Sequence, residues 1–362
     1  MNPFRTTATG LVWFGFSVAF PGLLQAQDLE IEEEMTVSRT VVNVRVVDNF
    51  GAPIPGLSKE NFLLKIEGKE VPIIQVEYVD LNEVVPEVVP EIVPKEDPEA
   101  DFEFIDEMGP RPGEPGYGKE KLNVVLIQGS INPERQYGLM RSHHFAKKVV
   151  SSLPPDSYTA VFSFHTHLQF KCDFTRDKEL LHDAVWEAVE RDSEVVFQAA
   201  NHPSVTAHFS EARGKEVANV EDAFLEIARV LRNFNGFKNL VYVGWGIGEW
   251  SPTTGMHYGF EYHRAVVELT RAKVSVFSLD LTMADYHSLA AGMMKLSGQT
   301  GGTYFSLYKF PDRAAKMVSR SMSAYYLITY EHPEVRKRRP KYKLYLVNTR
   351  GSMMVRDPYN RD

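Results

Sequence analysis

Apolar positions along this chain follow two different periods, and the places where one gives way to the other divide it. Residues 41–47 are nearly all apolar and β-branched, and Asp48, Asn49, Phe50 and Gly51 follow with turn chemistry, so a strand and its exit are expected. Residues 62–66 and 71–79 are strand-like on either side of Glu67, Gly68 and Lys69, a hairpin signal with no helix long enough for a parallel crossover. These segments predict an antiparallel β module.

From residue 122 strand-like and helix-like periods alternate. Short apolar runs at 122–127, 158–164, 168–173, 240–244, 274–280 and 303–307 predict strands. Asn132, Pro133 and Glu134 open a helix expected to run to about Ser152, with Leu139, Phe145, Ala146, Val149 and Val150 inward. Thr175 is placed to cap a second helix, whose Leu181, Ala184, Val185, Ala188 and Val189 keep helical spacing. An irregular stretch reaches Glu216. Asn219 then opens a helix with Val220, Ala223, Phe224, Ile227, Ala228 and Leu231 on one face and Gly236 where a left-handed cap is needed. Further helices are predicted at 258–271, 286–297 and 311–322. Such alternation, with one antiparallel hairpin strand, predicts an α/β doubly wound, mostly parallel sheet with helices on both faces.

The pattern returns to strands at 325–331, 342–347 and 353–356. Three strands alone are marginal, so they are expected to pair with the N-terminal strands in one antiparallel β-sandwich-like module, with the α/β domain inserted in it. The module takes residues 38–80 and 323–357, and the α/β domain takes 119–322. Between them, 81–118 reads as a linker. Residues 80–107 carry eleven acids against Lys95, and Pro86, Pro90 and Pro94 recur every fourth position, which favours an extended chain. Residues 109–118 add three Pro and four Gly.

The first 26 residues carry Arg5 and no acid, an apolar run at 11–20, Pro21 and Gly22, and Ala26 before Gln27, the pattern of a secretory signal peptide. The mature chain is thereby expected to be exported, periplasmic or extracellular, with no transmembrane span. A net charge of -8 disfavours a nucleic-acid partner, since phosphate binding needs surplus Lys and Arg. Cys172 is the only cysteine, so no intramolecular disulfide forms.

Asp48, Gly51, Pro53, Gly56, Leu57 and Phe62, then Glu67, Gly68 and Lys69, and Tyr325, Leu327 and Tyr330 near the end, stand in a characteristic order around the α/β domain. In this the chain resembles the secreted von Willebrand factor A-related bacterial proteins of the acidobacterial type. The resemblance implies an A-like domain and a protein-binding role. In metal-binding A-like domains the loop after the first strand reads D-x-S-x-S, a later loop gives Thr, and the fourth strand ends in Asp. Here the first loop is Gln128, Gly129, Ser130, Ile131 and Asn132, the Thr position falls near Ala218, and the strand-four Asp falls on Trp245. Both carboxylates that would offset the dehydration of Mg²⁺ are missing, so a degenerate site without metal or other cofactor is expected. Asp280 and Glu249 are the residues that could rebuild one.

Other constellations favour structural readings. His165 and His167 form an H-x-H at a hairpin, with His143 and His144 as sequence neighbours, and a turn is preferred over a zinc site. Cys172, in a strand, reads as a core thiol rather than a nucleophile. Residues 244–248 hold three glycines without the register of a phosphate loop. Arg336, Lys337, Arg338 and Arg339, with Lys341 and Lys343, form a hairpin-loop basic run that could contact an anionic surface.

The expected function is exported, non-enzymatic protein recognition by a metal-independent face carrying Gln128, Ser130, Asn132, Trp245 and Trp250. The aromatics of the loop after strand four can either anchor a partner or pack beneath that loop. A periplasmic structural or assembly component is the alternative, and a hydrolase built on Cys172 or the paired histidines is the third.

Overall fold

The computed structural model describes residues 39–81, 121–129, 139–155, 157–190, 195–197, 204–236, 238–283, 287–308, 311–331 and 340–356. The proposed signal segment, the acidic linker, Ser130, Asn132 and residues 332–339, with Arg336, Lys337, Arg338 and Arg339, lie outside them.

The centre of the structure is a six-stranded sheet. In chain order its strands are β5 (Leu122–Gln128), β6 (Tyr158–Phe164), β7 (Leu168–Thr175), β8 (Lys238–Gly244), β11 (Val274–Asp280) and β12 (Tyr304–Ser306), and across the sheet they run β12-β11-β8-β5-β6-β7. All neighbours are parallel except β6 and β7, the predicted hairpin. Numbered within this domain the order is 3-2-1-4-5-6, that of a doubly wound sheet, with the switch point between β5 and β8. The α/β expectation therefore holds.

Parity along β5 explains the two faces. Leu122, Val124 and Leu126 enter one core with α4 (Val220–Leu231), α5 (Phe260–Arg271) and α6 (Ala290–Thr300). Val125 and Ile127 enter the other with α1 (Leu139–Ser152), α2 (Lys178–Val189) and α7 (Pro311–Ser321). Apolar side chains on both faces of the strand are what two helical layers require, each buried Val or Leu contributing about 1.5–3 kcal/mol.

Strands from both ends of the chain form the remaining sheets. β1 (Arg39–Val47), β4 (Ile73–Asp80), β13 (Ala324–Glu331) and β15 (Ser352–Val355) lie in the antiparallel order β15-β1-β13-β4. β2 (Phe62–Ile66), β3 (Lys69–Val71) and β14 (Tyr342–Leu346) form a second sheet, β14-β2-β3. Val42, Val44, Val46, Leu64, Tyr326 and Ile328 share one apolar cluster between the two. Arg45, on the other face of β1, reaches the α/β sheet. It donates from Nη1 to Ser275 Oγ at 2.7 Å and Gly301 O at 2.9 Å, and from Nη2 to Asn239 Oδ1 at 3.0 Å. These contacts lie at the amino-terminal ends of β8 and β11, and the described residues from 39 to 356 fall in one compact unit.

Several local expectations are corrected. The run 71–79 is two strands, because Pro72 cannot donate to a ladder: β3 stays with β2, while β4 crosses to β13. The cap of α2 is Asp177, not Thr175, since β7 extends through Thr175 and the Asp177 carboxylate accepts from Glu179 N and Leu180 N. Asn219 caps α4 as expected, accepting from Asp222 N at 2.8 Å. The helix ends at Leu231, so Gly236, though left-handed at φ 79°, serves the turn before β8 instead. α6 is displaced to 290–300 and stopped by left-handed Gly301. The irregular stretch before Glu216 includes α3 (Glu211–Glu216).

Candidate functional site

The carboxyl ends of β5 and β8 lie side by side at the switch point, where doubly wound sheets open a ligand crevice. Here the described groups at that point bond to one another. Gln128 Oε1 accepts from Trp245 N at 2.9 Å, and Trp245 Nε1 donates back to Gln128 O at 3.2 Å. The Tyr242 hydroxyl lies 2.5 Å from Gln128 Oε1 and 2.9 Å from Gly246 O, with one proton to share between them. The acceptor capacity of the Gln128 amide oxygen is thus spent on neutral N–H and O–H donors.

Trp245 is only 4% exposed and belongs to the α1/α2/α7 core. Of the two readings open for the loop aromatics, packing beneath the loop describes the position of Trp245. Trp250 differs. It lies 52% exposed on a hairpin of β9 (Glu249–Ser251) and β10 (Gly255–His257), opposite Met256. Phe260, at the start of α5, is 69% exposed beneath the Arg264 guanidinium, 5.5 Å from its ring centroid. The strand-to-hairpin loop is tied down by Gly248 N, which donates to Glu221 Oε1 at 2.8 Å. Gly246, at φ 140°, and Gly248, at φ 84°, take conformations that favour glycine, and a Cβ on Gly246 would meet Leu289 at 2.3 Å. The three glycines shape this loop against its neighbours.

The carboxylates considered for a rebuilt metal site are far apart in character. Asp280, buried at the end of β11, accepts from Tyr304 Oη at 2.7 Å and Thr282 N at 2.9 Å, and pairs with His287 Nε2 at 2.6 Å. Burial alone would raise its pKa, but the bonds from His287, Tyr304 and Thr282 outweigh it and hold the carboxyl below its ordinary value. Tyr304 is pushed up by burial and by the same contact. Glu249 is exposed on the hairpin. Among the described residues no three His, Cys, Asp or Glu side chains group to hold a metal ion.

The histidine pair does not converge. His165 Nε2 lies 3.1 Å from Ala188 O, so that nitrogen carries the proton, whereas His167 faces Thr166 and Gln169. His165 Nδ1 also fills the space beside Gly129, where a Cβ would come within 1.9 Å. Cys172 is fully buried, its thiol 3.3 Å from Asp173 O, and burial pushes its pKa up to about 12. A thiol so held is protonated at neutral pH and is a poor nucleophile. Tyr242, Glu221, His287 and Tyr304 carry much of this architecture, and sequence reasoning singled out none of them. Their roles come from tertiary partners.

No family model and no curated protein sequence matches the chain. Among solved structures it is similar to a von Willebrand factor type A protein from Catenulispora acidiphila, at 10% identity and a TM-score of 0.39 over 66% of each chain. It is also similar to an aerotolerance-related membrane protein from Bacteroides fragilis, at 12% identity and a TM-score of 0.38 over 55% of this chain and 98% of that one. The von Willebrand factor domain of the type V pili tip protein of Porphyromonas gingivalis matches at 12% identity and a TM-score of 0.34, over 55% and 93%. Likeness at this level carries no inference about activity, and the fold rests on the strand order itself. Among the described residues, no helix is long and apolar enough to cross a membrane.

Proposed function

We propose that this chain is an exported, non-enzymatic protein-recognition module whose A-like α/β domain binds its partner without a metal ion. In this reading residues 1–26 direct export, residues 38–80 and 323–357 make one sandwich-like β module, and 81–118 link it to the domain at 119–322. The observation that carries it is the Gln128–Tyr242–Trp245 network, which fills the switch point with hydrogen bonds and leaves Trp250 and Phe260 exposed beside it. Affinity at such a face comes from buried aromatic area, with Trp250 as anchor and Trp245 as its support. Gln128 positions the loop rather than touching the partner. Ser130 and Asn132 belong to the same proposed face.

The test uses the mature chain and an envelope fraction, followed by calorimetry with each purified protein it retains. Trp250→Ala is expected to weaken binding by about 2 kcal/mol with an unchanged thermal melt, and EDTA to have no effect. Binding that survives Trp250→Ala and Phe260→Ala together, or that vanishes on chelation, refutes the proposal.

A further inference from the structure

The turn that joins α4 to β8 carries Asn235 followed by Gly236, and this Asn-Gly pair occurs once in the chain. The side-chain amide carbon of an asparagine is open to attack by the main-chain nitrogen of the next residue, which closes a five-membered ring. A side chain on that next residue crowds the approach, and glycine has none. The fold fixes glycine in this place: Gly236 is left-handed at φ 79°, where any other residue would be strained.

The two asparagines of this turn are held differently. Asn233 Nδ2 donates to Arg229 O and Val230 O, both at 3.0 Å, which satisfies terminal carbonyls of α4, and the residue after it is Phe234. Asn235 is exposed, and its side-chain amide has no hydrogen-bond partner among the described residues. Gly236 is buried, yet its N–H likewise donates to no acceptor among them. Closing the ring therefore breaks no hydrogen bond that holds this turn, and it removes a main-chain N–H that the fold leaves unpaired. Close by, Lys238 Nζ donates to Phe234 O at 2.6 Å, the carbonyl just before Asn235, and the charges acting on that ammonium are those of Lys273 and Arg356, both positive.

We infer that Asn235 is a site of spontaneous deamidation in the folded protein, a covalent modification that needs water alone. Gly236 N forms a bond to Asn235 Cγ and gives up its proton to solvent, and the side-chain nitrogen leaves as ammonia. Water then opens the ring at one or the other carbonyl, which gives aspartate or isoaspartate at position 235. The first product sets a carboxylate beside a group of cations, and the second also adds a methylene to the main chain just ahead of β8. This reaction is independent of the Trp250 face. The mature chain, folded or unfolded in urea, is held at pH 8 and at pH 6, and trypsin then releases residues 233–238 in one peptide with both asparagines. Tandem mass spectrometry reads which amide has become an acid, and labelling by an isoaspartyl methyltransferase reads the isoaspartate. The folded chain is expected to convert Asn235 while Asn233 stays intact, several-fold faster at pH 8 because the attacking nitrogen must lose a proton, and Asn235→Ser is expected to abolish the methyl labelling of this peptide. A folded chain that keeps Asn235, whether or not the unfolded chain converts it, overturns the inference, as does conversion of Asn233 at an equal rate.

Discussion

Replacing Arg45 tests the contact between the β layer and the α/β sheet. Its guanidinium is fully buried, 5.3 Å from the Phe277 ring centroid, and its three hydrogen-bond acceptors are a hydroxyl, a carbonyl and an amide oxygen, none of them charged. Burial lowers its pKa from 12.5 to about 10, so it remains charged at pH 7 at a desolvation cost on the order of 3 kcal/mol. Three bonds from a charged donor return roughly 1.5–3 kcal/mol each, so the balance favours keeping it. Arg45→Ala removes these bonds and leaves a cavity beside unsatisfied acceptors, an expected loss of about 3–5 kcal/mol. Arg45→Met keeps the stem packing and escapes the desolvation cost. Ser275 Oγ retains a donor in Arg356 Nη2 at 2.9 Å, but Gly301 O and Asn239 Oδ1 lose theirs, so a loss of about 1–2 kcal/mol is expected. Urea denaturation of the mature chain followed by circular dichroism reads both variants. At a slope of about 3 kcal/mol per molar, the midpoint should fall by about 1 M or more for Ala and by half that or less for Met. A Met variant as stable as the parent would refute the claim that the hydrogen bonds outweigh desolvation, and an Ala loss below about 1 kcal/mol would refute the buried contact itself.

Three further outcomes are expected. Lys238 is buried near Lys273 and Arg356, and burial first, then those charges, lowers its pKa to about 7. The folded chain therefore sheds this proton near pH 7 while the unfolded chain keeps it to about 10.5, so stability should rise with pH across that window; a Lys238→Met variant with the same pH slope would disprove it. Cys172 should resist a thiol reagent in the folded chain and react on denaturation, and rapid labelling of the native protein would contradict its burial. Trp245→Ala should cost about 3–5 kcal/mol and Trp250→Ala less than about 0.5 kcal/mol by thermal melt, an order that equal losses would overturn.

The parallel core was legible because strands buried on both faces are mostly apolar, as at β5, β8 and β11, and the helical spacing of α4 with Asn219 ahead of it left little ambiguity. The run from Val71 to Val79 misled because strand-like residues continue past Pro72 while the partners change there, a break the proline itself signalled. The β9–β10 hairpin escaped because strands of three residues are too short to show a period. At the site, Gln128 and Trp245 stood out only as residues in the wrong place. That they bond to each other across 117 positions, with Tyr242 joining them, is a tertiary fact with no local pattern. The Arg213–Glu226 and Arg232–Glu268 ion pairs are invisible in the same way, although the three-residue spacing of Glu226 and Arg229 is readable.

The strand order β15-β1-β13-β4 also sets a timetable for the nascent polypeptide. Neither β1 nor β4 pairs with the other; each waits for β13, which a ribosome adds only after the whole α/β segment has been made. Until then two apolar strand edges stand open, the kind of surface on which neighbouring chains pair. Closure of this sheet is thus the last long-range event in biogenesis, and a holdase that shields residues 41–47 and 73–80 until then would raise the yield of native protein more than one that acts on the early helices.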